Sequence, residues 1–176
     1  METERLWIRR FAPEDWEDLH EYLSQEEVIR YEPYEAFTQE ASKREAVRRR
    51  EDRRFWAVCL KGCGKLIGNI YLYKGEVDTW EMGYVFNANY HGKGYATEAA
   101  RAVVDDAFQN RHARRVVALC NPLNIPSWKL LERLGMRREG HLRQNIFFKK
   151  DAGGRPIWQD TYEYAILDVE WRRGGG

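Results

Sequence analysis

Apolar residues along this chain alternate with polar ones in some stretches and recur every three or four positions in others. The two periods divide it into strands and helices. Leu6, Trp7, Ile8 and Phe11, set among arginines, predict a short strand near a sheet edge. Pro13 opens a helix over residues 14–23, where Trp16, Leu19 and Leu23 fall on one face and acids crowd the first turn. Residues 24–37 lose the period. Glu26, Glu27, Glu32 and Glu35 stand there beside Tyr31, Tyr34 and Phe37, broken by Pro33, which predicts a loop with short helical turns. Such a loop is either a solvated surface over buried aromatics or a seat for a cationic ligand. Thr38 caps the next helix, whose basic end holds Arg48, Arg49 and Arg50, followed by Arg53 and Arg54. These arginines read as an exposed cap on the negative helix end, with a phosphate-binding patch as the alternative.

Three strands follow at 55–60, 65–74 and 79–86, joined by turns at Gly62 with Gly64 and at Gly75 with Asp78, so they are expected to lie antiparallel. After the loop NANYHGKG, the residues Ala96, Ala99, Ala100, Val103, Ala107 and Phe108 fall on one face of a helix that must pack on the sheet. A strand at 114–120 leads into a helix capped by Asn124 and stopped by Gly135. Two long strands, 137–150 and 157–171, flank the turn D-A-G-G-R-P and close the sheet as a hairpin.

The length of 176 residues suits one domain. Lys and Arg number 29 against 28 Asp and Glu, a net charge of +1 that gives no general attraction for nucleic acid. A charged fraction of 32% and a mean hydropathy of −0.74 argue against an integral membrane protein. No signal-peptide pattern opens the chain, and three cysteines without metal or redox spacing read as reduced thiols. A cytoplasmic protein with no metal and no membrane or nucleic-acid partner is expected.

The chemistry concentrates where Gly92 and Gly94 flank Lys93 ahead of the small residues Ala96, Ala99 and Ala100. Glycines here free the backbone amides at a helix N-terminus to converge on an anion. The same glycines would equally serve a tight turn. The loop is not a P-loop, since no Gly-Lys-Ser or Gly-Lys-Thr follows, and Thr97 at the third glycine position removes G-x-G-x-x-G. No G-x-S-x-G elbow supports a serine hydrolase.

Strand WEMGYVF, loop YHGKGYATEAA, NIPSWKLLERLGMRREGHLR and the closing QDTYEYAIL together resemble the GNAT superfamily of acetyl-CoA-dependent N-acetyltransferases, its RimJ/RimL-like branch in particular. The superfamily signature Q/R-x-x-G-x-G/A falls on Asn89 to Gly94, with Asn89 in place of Gln or Arg, and the branch's N-x-x-S falls on Asn124 to Ser127. The order agrees from Leu6 to Trp171. The resemblance implies an α+β fold: a mostly antiparallel sheet of about seven strands, splayed between the fourth and fifth and flanked by about four helices. It implies a single domain over 1–171, with 172–176 a flexible tail.

It also implies acetyl-CoA as co-substrate. Backbone groups of Val85, Phe86 and Asn87 would pair with the pantetheine arm. Amides of Gly92, Lys93, Gly94, Tyr95, Ala96 and Thr97 would hold the pyrophosphate, with His91 touching coenzyme. Asn124 would contact pantetheine while capping its helix. Glu81 is the implied general base, through water, Ser127 the proton donor to the departing sulfur, and an amide such as that of Val85 the carbonyl polariser. Glu98 reads as a loop anchor, and Asp160 and Tyr162 as borders of the acceptor side. The acceptor is a primary amine, either a protein N-terminus, as on ribosomal proteins, or a small cationic amine, which the acidic loop from Glu26 to Glu35 favours. A non-catalytic acyl-CoA sensor is the alternative, and the last hairpin offers an edge for a homodimer.

Overall fold

The computed structural model describes residues 1–174. Strands β1 (Leu6–Arg9), β2 (Phe55–Leu60), β3 (Leu66–Lys74), β4 (Thr79–Phe86), β5 (Arg115–Cys120), β6 (Arg137–Lys150) and β7 (Pro156–Leu167) form one sheet in the order β1-β2-β3-β4-β5-β7-β6. All neighbours are antiparallel except β4 and β5. Helices α1 (Trp16–Leu23), α2 (Glu26–Ile29), α3 (Gln39–Glu51), α4 (Tyr95–Asn110), α5 (Ile125–Arg133) and α6 (Asp168–Gly174) flank it.

The alternation of strand side chains creates two cores. On one face Ile70, Leu72, Met82 and Val116 pack against Ala99, Ala100, Val103 and Phe108 of α4, as the helix period requires. On the other, Ala57, Cys59 and Leu66 meet Leu19, Tyr22, Leu23 and Ala46 of α1 and α3. Each fully buried leucine contributes roughly 1.5–3 kcal/mol. The two faces fasten α4 and the pair α1 and α3 to opposite sides of one sheet.

Expected and observed structure differ at the C-terminus. The last strand stops at Leu167, and Asp168–Gly174 is helical. The turn buries Trp171 beside Phe108 of α4, where its indole N–H donates to Asp105 at 2.6 Å. An extended chain would leave that ring in water. Residues 172–174, expected in a tail, therefore belong to a helix, and the remainder of 172–176 lies outside the described residues. This helix and the short α2 raise the count above the expected four.

Gly68 on β3 is needed for close approach. A Cβ there would lie 2.5 Å from Phe86 Cδ1 and 2.7 Å from the Val85 carbonyl, so glycine lets the end of β4 settle against β3.

Candidate functional site

β4 and β5 pair only from Thr79 with Arg115 to Glu81 with Val117, and beyond that β4 continues to Phe86 paired with β3 alone. The parted strands open a cleft of about 1280 Å³ that runs from the start of α4, between the strands, to the loop around α2. In an antiparallel ladder successive residues turn their main-chain groups to opposite sides. The Asn87 amide donates to the Ile67 carbonyl at 2.9 Å while its carbonyl accepts from the Tyr90 amide, and Gly75 donates to the Thr79 carbonyl at 2.8 Å, so the odd-numbered residues between them turn their main-chain groups to β3.

Val85 and Asn87 therefore cannot offer main chain to a ligand in the gap, contrary to expectation, and the Val85 amide cannot polarise a carbonyl there. Tyr84 and Phe86 face the gap instead. Counting alternate residues outward from a hairpin turn was the signal available in the sequence. The Asn87 side chain is fully buried, accepting from Gln25 and the Asn89 amide and donating to Glu21 at 2.8 Å, a structural post at the end of β4.

Helix α4 opens with Gly94 in the left-handed region at φ 81°, after Gly92 at φ 73°. Only glycine adopts this conformation without strain. No amide from Gly92 to Thr97 has a hydrogen-bond acceptor among the described residues, and a Cβ on Gly92 would meet open space. Six free donors at the positive end of a 16-residue helix, with Arg133 Nε 3.4 Å from the Thr97 hydroxyl, suit the phosphates of a coenzyme. Gly92, Gly94, Tyr95, Ala96 and Thr97 line the cleft. The Lys93 side chain turns back to the Asn89 carbonyl at 3.1 Å, leaving its amide as its contribution. His91 lines the cleft with Nε2 3.0 Å from the Phe86 carbonyl, so it touches the edge expected to meet pantetheine. Asn89 is exposed, its amide directed to Glu21 at 3.4 Å. As expected, Glu98 is an anchor: it accepts from the Thr3 hydroxyl at 2.5 Å and the Arg5 amide at 2.9 Å and pairs with the Arg5 guanidinium, tying the chain's start to α4.

At the centre of the cleft, Ser127 in the first turn of α5 places its Oγ 2.9 Å from the Tyr84 phenol. Cys120 lies beside it, and burial pushes that thiol up to about 11, so it is a neutral neighbour at physiological pH rather than a nucleophile. Asn124 lines the cleft and occupies the N-cap, but its side chain makes no capping bond. Its carbonyl alone accepts from Ser127 and Trp128. Glu81, exposed where the strands part, also lines the cleft. Strand alternation sends Tyr84 to the face of α4 and α5, and Glu81 and Val85 to the face of α1 and α3. Acid and base candidates thus stand on opposite sides of the sheet.

On the Glu81 face the cleft is walled by Glu27, Tyr31, Glu32, Tyr34, Phe37, Glu45 and Arg49. Arg49, read from sequence as exposed, is only 3% exposed: it donates to Asn69 at 2.7 Å, where the Tyr22 phenol also bonds, and pairs with Glu45 at 2.7 Å. The signal was its spacing, since Ser42, Ala46 and Arg49 form the buried stripe of α3. Arg48 and Arg54 pair with Glu45 and Asp52 rather than forming a phosphate patch. Burial pushes the Glu32 carboxyl up to about 7, against the pull of the Tyr34 hydroxyl and Arg49. Glu26 and Glu35 face a separate hollow of about 270 Å³ with Lys149. Asp160 lines the cleft but is held below the usual carboxylate range by the Gln144 amide and His141. Among the described residues no cluster of His, Cys, Asp or Glu could hold a metal, and no helix is long and apolar enough to cross a membrane.

Residues 5–137 match the family described as Acetyltransferase (GNAT) domain. The chain is 42% identical over 172 residues to an uncharacterized N-acetyltransferase, YnaD, of Bacillus subtilis (strain 168), covering 96% of this chain and 97% of that protein. It superposes with TM-score 0.87 on a GNAT-family acetyltransferase from Bacillus anthracis, at 38% identity over 97% of this chain and 99% of the other. A spermidine N-acetyltransferase from Vibrio cholerae, solved with CoA and spermine, shares the fold at TM-score 0.79 and 19% identity, over 97% of this chain and 99% of that one. A splayed sheet, a cradle of free amides and these relationships agree: the chain belongs to the GNAT acetyltransferase family, as an acetyl-CoA-dependent N-acetyltransferase.

Proposed function

We propose that this enzyme transfers an acetyl group from acetyl-CoA to a cationic primary amine by direct attack in a ternary complex. The observation that carries this reading is the single cleft joining a cradle of free amides at α4 to an acidic, aromatic pocket beside α2, with Ser127 and Glu81 on either side of the parted strands. The coenzyme supplies an acetyl thioester. Amides of residues 92–97 hold its phosphates, and the edge of Tyr84 and Phe86 pairs with its arm as an added strand would. A gap-facing amide of this edge polarises the thioester carbonyl, the role the family resemblance implied for Val85.

The amine enters from the opposite face. Glu32 and Glu27 attract it as an ammonium, Tyr34 and Phe37 pack its carbon chain, and Glu81 takes its proton through water. Nitrogen attacks and sheds its second proton to water, the carbon–sulfur bond breaks, and Ser127 supplies the proton that the sulfur gains. The neutral Cys120 thiol favours this direct route over an acetyl-cysteine intermediate. Retention of both Glu81 and Ser127 favours turnover over a coenzyme sensor. The RimJ/RimL-like motif at Asn124 to Ser127 keeps protein N-terminal amines as the second acceptor class.

The test is thiol release from acetyl-CoA with spermidine and an N-terminal alanine peptide as acceptors, for wild type, Ser127→Ala and Glu81→Gln. Turnover with spermidine is expected, lowered about 100-fold or more in kcat for each variant. Turnover of the peptide alone overturns the cationic acceptor. Thiol release unaffected in both variants overturns the assignment of base and acid.

A further inference from the structure

The phenol of Tyr84 has one proton and two acceptors on the same residue: the Ser127 carbonyl at 3.0 Å and the Ser127 hydroxyl at 2.9 Å. The choice decides where the serine proton points. With the phenolic proton on the carbonyl, the Ser127 hydroxyl donates back to Tyr84 and its proton is withheld from the cleft. With the phenolic proton on Oγ, the serine's own proton is left free, and Ser127 lines the cleft. We propose that Tyr84 is a positioning residue for acyl transfer, holding the Ser127 hydroxyl so that its proton is presented to the departing sulfur. This rests on the reading of Ser127 as proton donor.

Three features support it. Tyr84 and Ser127 come from different elements, β4 and α5, and their contact stands in the cleft beyond the point where β4 and β5 stop pairing. Burial raises the phenol well above its ordinary range, so it stays protonated, a fixed donor, over any working pH. A hydroxyl in a first helical turn otherwise bonds to a local backbone carbonyl, and here the phenol competes with that local partner. The proton count closes. As the carbon–sulfur bond breaks, its electron pair stays on sulfur and takes the Ser127 proton. Tyr84 keeps its own proton and stabilises the charge developing on Oγ. The acceptor nitrogen, arriving as an ammonium, loses two protons: the first passes to Glu81 through water and on to solvent before attack, and the second, shed by the attacked nitrogen, returns to Ser127 through water.

The experiment measures thiol release from acetyl-CoA, with spermidine and without acceptor, for Tyr84→Phe, Ser127→Ala and the double variant. CoA binding and thermal melting are measured alongside. The acceptor-free reaction is slow hydrolysis, which breaks the same bond and reads the same proton donor. Tyr84→Phe is expected to lower kcat about tenfold, the loss of one hydrogen bond, with KM for acetyl-CoA and CoA binding unchanged. In the Ser127→Ala background it is expected to do nothing further, because its only route is through that hydroxyl. Full kcat in Tyr84→Phe beside an impaired Ser127→Ala overturns the positioning role and leaves Ser127 as donor. Multiplying losses in the double variant also overturn it. A Ser127→Ala enzyme at wild-type rate overturns the donor reading and the proposal together.

Discussion

The two halves of the cleft are built from different materials. At α4 the binding groups are main-chain amides, set by two left-handed glycines and needing almost nothing from side chains. At α1 to α3 they are side chains: a buried Arg49 fixed by Asn69 and Glu45, a secluded Glu32, and aromatics whose order in sequence follows no repeating motif. A backbone cradle tolerates many sequences and recognises what every substrate complex shares, the coenzyme. A side-chain pocket changes with each substitution and, on the proposed reading, recognises what differs, the acceptor. On that reading, coenzyme binding and substrate choice are written in separate parts of the chain.

The sharpest way to break this division is at Arg49. Arg49→Met takes the buried guanidinium from Glu45, which keeps Arg48, and from Asn69, which keeps the Tyr22 phenol, and is expected to cost about 2–3 kcal/mol, lowering Tm by roughly 5–10 °C. Acceptor KM should rise while CoA affinity, measured by calorimetry, holds. A variant that loses CoA first would show the halves are not separate. Gly94→Ala probes the other side. A methyl at φ 81° costs about 1–2 kcal/mol and would sit 3.3 Å from the Arg5 guanidinium, so CoA binding should weaken about tenfold with acceptor KM unchanged.

Glu32 gives a pH signature confined to the acceptor half. A cation needs the ionised acid, so kcat/KM for a cationic amine should rise as pH passes about 7, and Glu32→Gln should remove that limb. Stability runs the other way. The folded chain keeps the Glu32 proton up to about 7, whereas the unfolded chain releases it near 4.5, so stability falls between those values, and Glu32→Gln flattens that slope in urea melts. The smallest effect is expected at Arg54→Ala, which removes an exposed pair with Asp52: at most about 0.5 kcal/mol, and no change in the salt dependence of coenzyme binding.

The sequence was most legible where local rules operate. Strand periods and turn glycines marked β2, β4 and β6 with their ends, and the helix period marked the face of α4. The glycine loop announced the cradle because positive φ selects a residue type. The anchor role of Glu98 followed from its place one turn into α4. Long-range placement was not legible. An arginine inside a run of arginines looked solvated until Asn69, from a strand twenty residues away, met it in the core. The direction of the Val85 and Asn87 main chains depends on pairing parity, which periodicity does not carry unless it is counted from a turn. The C-terminal DVEW continued an alternating pattern and bends into a helix only because α4 supplies a wall for Trp171. The partnership of Tyr84 and Ser127 joins residues 43 apart, and no spacing rule reaches that far.

The most direct measurement of the division of labour is a pair of KM values, for acetyl-CoA and for spermidine, determined by thiol release in wild type and Glu32→Gln at pH 8. The expected result is a spermidine KM raised about tenfold or more with acetyl-CoA KM unchanged. A shift in acetyl-CoA KM with spermidine KM untouched would contradict it and place the acceptor site elsewhere.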